Sequence, residues 1–355
     1  MLLKNKFSKF LSTFYVVIFI VLIIVFPEIS SQGVSRGLLI SANVIIPSLF
    51  PFMVCVLMLI KSGFSIKNSF INNILYAIFG HNFDMFFMFL LSMLGGYPVG
   101  ARLINEQYGQ NIIDKKTADI MLTYCVNAGP AFVISAVGSG MLGSYKIGII
   151  LLFSHIVASV ILAAVCGIEL KRHNCLCKVA PPTIKNFSDN FVVSVADASA
   201  SVLKICSFVI LFSGLNAYLD YFWGDMPILK NIFYFTEVTS AVTKTKNIVF
   251  ISFLLGFSGV SIWCQIFAMS GGRKINFWRF CLGRILHGFI SALITKLIIN
   301  VFDIKISTFS NNIGFKFSVL YSDIAVSISL VIMLIMLFVF IYTKNSSGKI
   351  LKDVI

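Results

Sequence analysis

Residues 83–103 read FDMFFMFLLSMLGGYPVGARL, an apolar run that is interrupted by the motif GGYPVGA. A helix of this length is about 30 Å long, enough to cross the hydrocarbon core of a bilayer. Gly and Pro interrupt such a helix, and proline also lacks the backbone N–H that the helix needs. Unpaired backbone groups at a break are tolerated within a bilayer only where they line a cavity or meet a ligand. The motif therefore predicts a helix broken at Gly95, Gly96 and Pro98, beside a cavity.

Four other apolar segments carry similar interruptions. The motifs are IPSLFPF at 46–52, NAGPAF at 127–132, FTEVTS at 235–240 and GFSGVS at 256–261. We expect helix breaks at Gly129 and Pro130 in NAGPAF and at Gly259 in GFSGVS. A single Gly motif is more often a site of close helix packing. Because the breaks recur in matching parts of the chain, we favour a functional cavity.

The composition indicates an integral membrane protein. Hydrophobic residues make up 58% of the 355 residues, charged residues make up 12%, and the mean hydropathy is +0.94. Soluble domains keep about a quarter of their residues charged, so a soluble enzyme is excluded. The lengths of the apolar runs predict roughly eight to ten crossings of the bilayer. The formal charge of +14 collects at the ends of these runs, as topology signals do, and does not indicate nucleic-acid binding.

The cysteines and histidines follow no known metal or disulfide pattern. Eight Cys are scattered through mostly apolar segments, and His173, Cys175 and Cys177 lack a fourth ligand for a metal. Walker and HExxH motifs are absent from the sequence. We therefore expect no metal, no cofactor and no enzymatic activity.

Five segments follow from the apolar runs and the charges between them. We expect an N-terminal transmembrane helix at 1–34, a first repeat at 35–168, a basic cytosolic linker at 169–195, a second repeat at 196–300, and a C-terminal transmembrane helix with a basic tail at 301–355. Lysines near both ends place both termini in the cytoplasm. The same order of spans recurs after the linker, and the second repeat starts from the opposite side of the membrane. The predicted fold class is an all-α polytopic membrane protein with inverted repeats and interrupted or re-entrant helices.

Inverted halves with interrupted helices are typical of transporters, because two equivalent halves can open a central site alternately to each side. The positive N-termini of half-helices favour anionic groups. We therefore predict a permease for a small polar or anionic solute. A membrane scaffold without transport activity is the alternative.

Polar side chains at the breaks are the candidate solute ligands. Asn127 and Gln265 can each donate and accept hydrogen bonds, as recognition of a heterocycle requires. Glu237 belongs to a polar face about one helical turn wide, which a solute or a coupling proton could occupy. The alternative is that Glu237 only marks the start of a helix near the interface. The full set is Asn127, Glu237, Gln265, Tyr97, Thr236 and Ser240.

We expect the other ionisable groups in the predicted spans to have structural roles. Asp197 and Lys204, seven residues apart, are expected to pair along one helix. Arg284 is expected to extend to the inner interface. His155 is expected to form a hydrogen bond across helices.

The motifs IPSLFPF, GGYPVGARLI, NAGPAF and GFSGVSIWCQ, in this order and spacing, resemble those of the sporulation integral membrane proteins of the YlbJ type. That type belongs to the nucleoside-recognition, or Gate, superfamily. The resemblance covers residues 35–300, so both repeats are expected to be Gate-like. Its most specific element consists of Tyr97, Pro98, Gly100 and Ala101. The chain departs from the pattern at Gly95, where Ser is expected, and at residues 262–265, where a His-containing sequence is expected.

The resemblance implies a role in endospore formation and a location in the bacterial cell membrane or a membrane around the forespore. It also implies transport of dipicolinate, a rigid pyridine dicarboxylate. A nucleoside-type solute or a non-transporting scaffold role stays open. The expected partners are the lipid bilayer and a small-molecule solute, with a homo-oligomer or other sporulation membrane proteins also compatible.

Overall fold

The computed structural model describes residues 2–62, 69–173, 186–224, 226, 233–245, 247–270 and 273–302. These residues form helices and connecting turns, without strands in the part that the structure describes. The first half contains α1 (Leu2–Val25), α2 (Pro27–Ile40), α3 (Ile46–Lys61), α4 (Ser69–Phe79), α5 (Phe83–Gly95), α6 (Tyr97–Gly109), α7 (Lys115–Tyr124) and α8 (Tyr145–His173). The second half contains α9 (Phe187–Trp223), α10 (Val238–Lys244), α11 (Ile248–Phe257), α12 (Gly259–Ala268) and α13 (Phe277–Val301). Two π-helical segments, Ser41–Ile45 and Ala131–Met141, join neighbouring helices of the first half.

These elements confirm an all-α polytopic membrane protein. Four helical segments are long and apolar enough to span a bilayer, or up to six if each of two bent helix pairs counts as one span. The described residues therefore give fewer spans than the eight to ten expected. The difference arises because several apolar runs are divided into short helices: α5 and α6 have 13 residues each, about 20 Å, which is too short to cross alone. The predicted C-terminal span and residues 174–185 of the predicted linker lie outside the described residues. Most of the remaining linker residues belong to the end of α8 and the start of α9.

The N-terminal region bends sharply. Residues 13–25 of α1 and the segment that begins at Pro27 meet at 100°. The second segment packs along α9, where Gly33 and Gly37 let the two backbones approach closely. The predicted helix at 1–34 is therefore divided at Phe26, and α2 continues past residue 34.

Helices α5 and α6 form a re-entrant hairpin. The chain turns at Gly96, and Gly100, four residues after the turn, packs against Ser92, four residues before it. Both outer ends lie near the C-terminal end of α8. Just before α5, Gly80 packs against Gly167 of α8, and just after α6, Asp114 contacts the last residue of α8. The hairpin thus enters and leaves on one face, which we name the α8 C-terminal face.

The two broken helices run in opposite directions. The first, α7 followed by Ala131–Met141, begins on the α8 C-terminal face beside Asp114. The second, α11 followed by α12, begins on the opposite face, where Lys244 at the end of α10 pairs with Asp220 near the end of α9. It ends beside α6, where the Asn105 amide donates to the carbonyl oxygen of Met269. This arrangement is the one expected of inverted repeats. The repeat boundaries stay predictions, and those at 34/35, 168/169 and 195/196 fall inside α2, α8 and α9.

Candidate solute-binding site

The predicted helix breaks surround one cavity of about 60 Å³. The first half contributes Gly96, Tyr97, Pro98 and Gly129, and the second contributes Glu237, Thr239, Ser261 and Gln265. The other lining residues are apolar, and they come from α9, α10, α12, the π-helical segments and the start of α3. The cavity therefore lies between the halves and has both polar and apolar walls, as small-molecule sites do.

In the first half, two breaks cross each other at glycines. Gly96 has φ +84° and ψ 177°, a conformation that essentially only glycine adopts. A Cβ atom added to Gly129 would lie 3.2 Å from the Cα of Gly96 and 3.1 Å from the carbonyl oxygen of Leu94. The GGYP and NAGP segments thus need glycine to bring their backbones into contact at the cavity wall.

In the second half, two breaks cross through backbone hydrogen bonds. The N–H groups of Val260 and Ser261 donate to the carbonyl oxygens of Phe235 and Thr236, each at 2.9 Å. These N–H groups belong to the second and third residues of α12 and would otherwise be unpaired. Neither of these two N–H groups is open to an anionic solute, contrary to the expectation for a half-helix N-terminus.

Three buried polar side chains line the cavity without hydrogen-bond partners among the described residues. Ser261 is 2% exposed and Thr239 is 4% exposed, and neither hydroxyl has a partner in the described part of the chain. Gln265 is 3% exposed, and no hydrogen bond ties its amide to another described residue. A buried polar group without a partner costs about 1–3 kcal/mol. These groups are therefore suited to bind a polar solute or water.

Glu237 lines the same cavity and immediately precedes α10. One carboxylate oxygen accepts a hydrogen bond from the Thr239 N–H at 2.9 Å, as a helix-capping residue does. The two alternatives drawn from the sequence, a cavity carboxylate and a residue that begins a helix, are thus compatible at this position. Glu237 is the charged side chain among the described lining residues.

Tyr97 connects the halves beside the cavity. Its ring contributes to the wall, and its hydroxyl donates to the carbonyl oxygen of Leu255 at 2.7 Å. Thr236 lies next to the cavity residue Glu237 but does not line the cavity, because its hydroxyl contacts the oxygens of Asn216 and Phe233, each at 2.6 Å. The side chain of Ser240 lies outside the described residues.

Asn127 lies behind the cavity and not in its wall. Its amide nitrogen donates to the hydroxyl of Ser92 at 3.2 Å and to the carbonyl oxygen of Tyr124 at 2.9 Å. The side chain holds the NAGP break against α5 and the end of α7. Of the other predicted break residues, Gly95, Pro130 and Gly259 flank the cavity residues in sequence without lining the cavity.

Buried side chains satisfy the backbone at the NAGP break. Arg284 is 0% exposed and donates to the carbonyl oxygens of Thr123, at 2.5 Å, and Val126. His155 accepts a hydrogen bond from the Ala128 N–H at 2.9 Å, a bond across helices as expected. The expectation that Arg284 extends to the interface is therefore wrong, because the carbonyl groups left by the end of α7 hold its guanidinium inside.

The predicted pair of Asp197 and Lys204 is also not formed. Asp197 instead contacts Lys61 at 2.6 Å and Arg102 at 2.9 Å. Both partners lie far away in sequence, so the helical spacing of Asp197 and Lys204 carries no information about them.

Thr239 and Ser261 line the cavity but are not among the predicted site residues, although Thr239 lies within the FTEVTS motif and Ser261 within the GFSGVS motif. Their position next to a break was the signal that could have identified them.

No family model matches the chain, and no solved structure matches it. The sporulation integral membrane protein YlbJ of Bacillus subtilis (strain 168) is 24% identical to it, in an alignment that covers 77% of this chain and 78% of that protein. This similarity is consistent with the Gate superfamily, which stays a prediction. The chain is thus an integral membrane protein similar, over most of both lengths, to the YlbJ type of sporulation membrane protein, as its motifs predicted.

Proposed function

We propose that this protein is a permease, without enzymatic activity, that moves a small polar or anionic solute through the cavity between its halves. The observation that carries the proposal is the meeting of helix breaks from both halves around buried polar groups that have no partner among the described residues. A structural core would pair such groups or replace them with apolar ones. A solute that forms hydrogen bonds would satisfy them.

The opposite directions of the two broken helices support transport in particular. When the halves are related by inversion, exchanging their conformations closes the site on one face and opens it on the other. The crossing breaks are the parts of the chain that such a change would move. Among their contacts are the two hydrogen bonds that the N–H groups of Val260 and Ser261 donate.

Dipicolinate during endospore formation is the solute that we favour. Its ring would lie against Tyr97 and the apolar wall, and its carboxylates would accept hydrogen bonds from Thr239, Ser261 and Gln265. A carboxylate about 4 Å from Glu237 is repelled by about 4 kcal/mol at an effective dielectric constant of about 20. We therefore expect the dianion to bind together with a proton or another cation.

A nucleoside-type solute is the second candidate, favoured by the same carboxylate. A nucleoside is neutral and is not repelled by Glu237. Its base would find donors and acceptors in the Gln265 amide and its sugar in the hydroxyls of Thr239 and Ser261. The scaffold alternative gives these polar groups no role. Assembly with a second copy or with other sporulation membrane proteins is an expectation from the resemblance.

Uptake into proteoliposomes tests the proposal. Labelled dipicolinate and labelled nucleosides are offered separately to the purified chain under imposed proton and sodium gradients. The variant Ser261→Ala removes a cavity hydroxyl, and Ser207→Ala removes an exposed hydroxyl on α9 as the matched control. We expect uptake of one solute class that Ser261→Ala reduces and Ser207→Ala does not. If folded protein takes up neither class under any gradient, the scaffold role replaces the transporter.

A further inference from the structure

Ion pairs at three places connect the first half of the chain to the second. Asp197 on α9 contacts Arg102 on α6 at 2.9 Å and Lys61 at the end of α3 at 2.6 Å. Asp119 on α7 contacts Arg273, just before α13, at 2.6 Å. Glu169 on α8 contacts Arg279 on α13 at 2.6 Å. Each pair takes one charge from each half.

These pairs lie between the cavity and the α8 C-terminal face. On α9, Asp197 precedes the lining residue Ile205 by eight residues, about 12 Å along the helix. On α6, Arg102 follows the lining residue Pro98 by four residues, about 6 Å towards the same face. The Glu169–Arg279 pair lies one turn before α8 ends.

The pairs differ in burial, so they differ in strength. The side chains of Asp119 and Arg273 are 10% and 2% exposed, and Arg273 also donates to the Asn105 amide oxygen at 3.0 Å. Glu169 and Arg279 are 39% and 26% exposed and form two parallel hydrogen bonds. Water reaches the outer pair, so that pair can break and re-form more readily than the buried one.

The opposite face has a different kind of contact. Its ion pair in the described part of the chain, Lys244–Asp220, joins α10 to α9 and so lies within the second half. Towards that face, the first half meets the cavity with apolar side chains such as Phe132 and Leu49. Ion pairs between halves are thus a feature of the α8 C-terminal face among the described residues.

We propose that these ion pairs form a gate that closes the α8 C-terminal face and must open for the cavity to be reached from there. The inference rests on the proposed transport function, because it assigns the face at which the halves separate. Ion pairs suit a gate because each has two discrete states, paired across the halves or separately hydrated. On the other face, apolar side chains of the two halves can slide past one another without breaking a specific pair.

Thiol labelling of Ser261→Cys tests the gate. A membrane-impermeant thiol reagent is added to one face at a time, and mass spectrometry measures its attachment at position 261, so the native cysteines can stay. We expect slow labelling from the α8 C-terminal face and labelling about two- to fivefold faster when Glu169→Gln or Arg279→Gln is added. The charge exchange Glu169→Arg with Arg279→Glu should restore the slow rate. Lys244→Gln, which breaks the ion pair on the opposite face, is the matched control and should change nothing.

The outcomes separate the gate from the transport proposal. An unchanged rate in Glu169→Gln and Arg279→Gln, in protein that elutes as a folded species, would overturn the gate even if the chain takes up solute. Labelling that responds as expected, in a chain that takes up no solute, would leave the ion-pair closure in place and overturn transport. A faster rate with Lys244→Gln as well would show general loosening, and the gate would be rejected.

Discussion

Tyr97, at the break between α5 and α6, donates its hydroxyl hydrogen to the carbonyl oxygen of Leu255 in the last turn of α11, at 2.7 Å. The bond joins a break of the first half to a break of the second, across 158 residues of sequence. Both residues are buried. The phenol of Tyr97 is therefore one of the direct links between the two halves beside the cavity.

Tyr97→Phe removes this hydrogen bond and keeps the aromatic wall. We expect a loss of about 1 kcal/mol in stability, because the carbonyl oxygen of Leu255 loses a buried donor. The thermal unfolding midpoint in detergent measures the change. Tyr145→Phe changes an exposed tyrosine on α8 and serves as the control, with no shift expected. Equal midpoints for both variants would mean that the bond does not hold the halves together.

Gln265→Ala and Asn127→Ala should have different effects, although both remove an amide beside a break. Gln265 lines the cavity, so its loss should weaken solute binding and leave the folded protein intact. The Asn127 side chain forms hydrogen bonds with Ser92 and Tyr124 behind the cavity. Its loss should lower the free energy of unfolding by about 1–3 kcal/mol and the unfolding midpoint with it. Solute affinity and unfolding are measured for both variants. If Asn127→Ala lowered the solute affinity and left the unfolding midpoint unchanged, Asn127 would be a solute ligand after all.

The breaks could be predicted from sequence, because Gly and Pro act on the backbone locally. Gly96 with φ +84° is such a case. The partners of polar side chains could not be predicted, because they come from distant parts of the chain. Asp197 and Lys61 are 136 residues apart, and nothing in either local sequence indicates the other. Arg284 is a further example, since a charged residue in an apolar helix is expected at the interface unless carbonyl groups from another helix end surround it.

Gly100→Ala should disrupt the re-entrant hairpin. A Cβ atom at this position would lie 1.7 Å from the carbonyl oxygen of Cys125, a backbone atom that cannot move aside without shifting α7. We expect a destabilisation of about 3 kcal/mol or more. Gly109→Ala lies on the same helix with no atom within 4 Å of the added Cβ, and it should fold like the wild type. Yield of folded protein and unfolding midpoint distinguish the two; similar values would contradict the close packing of α6 against α7.

Asp114 should make the start of α7 sensitive to acid. Burial raises the pKa of its carboxyl group, but hydrogen bonds with Thr117 and His173 outweigh burial and lower the pKa to about 2, from the ordinary 3.8. Stability from this carboxylate is therefore present above about pH 4 and is lost as the pH falls towards 2. Asp114→Asn keeps a capping oxygen without the charge. The midpoint of the wild type should exceed that of the variant near pH 6, and the difference should vanish near pH 2; a constant difference would exclude the carboxylate as its cause.

Glu237→Gln separates the charge of this residue from its role at the start of α10. The amide oxygen of Gln can still accept the Thr239 N–H, so the helix should fold normally. Because the repulsion between carboxylates is gone, we expect dipicolinate to bind about tenfold or more tightly without added cations. Concentrative uptake driven by a proton gradient should be lost, since a neutral amide cannot carry the proton. Glu237→Ala removes the charge and the helix cap together and controls for loss of structure. Weaker binding of dipicolinate to Glu237→Gln would mean that Glu237 does not repel this solute, and the expected binding of a proton or another cation together with the dianion would be wrong.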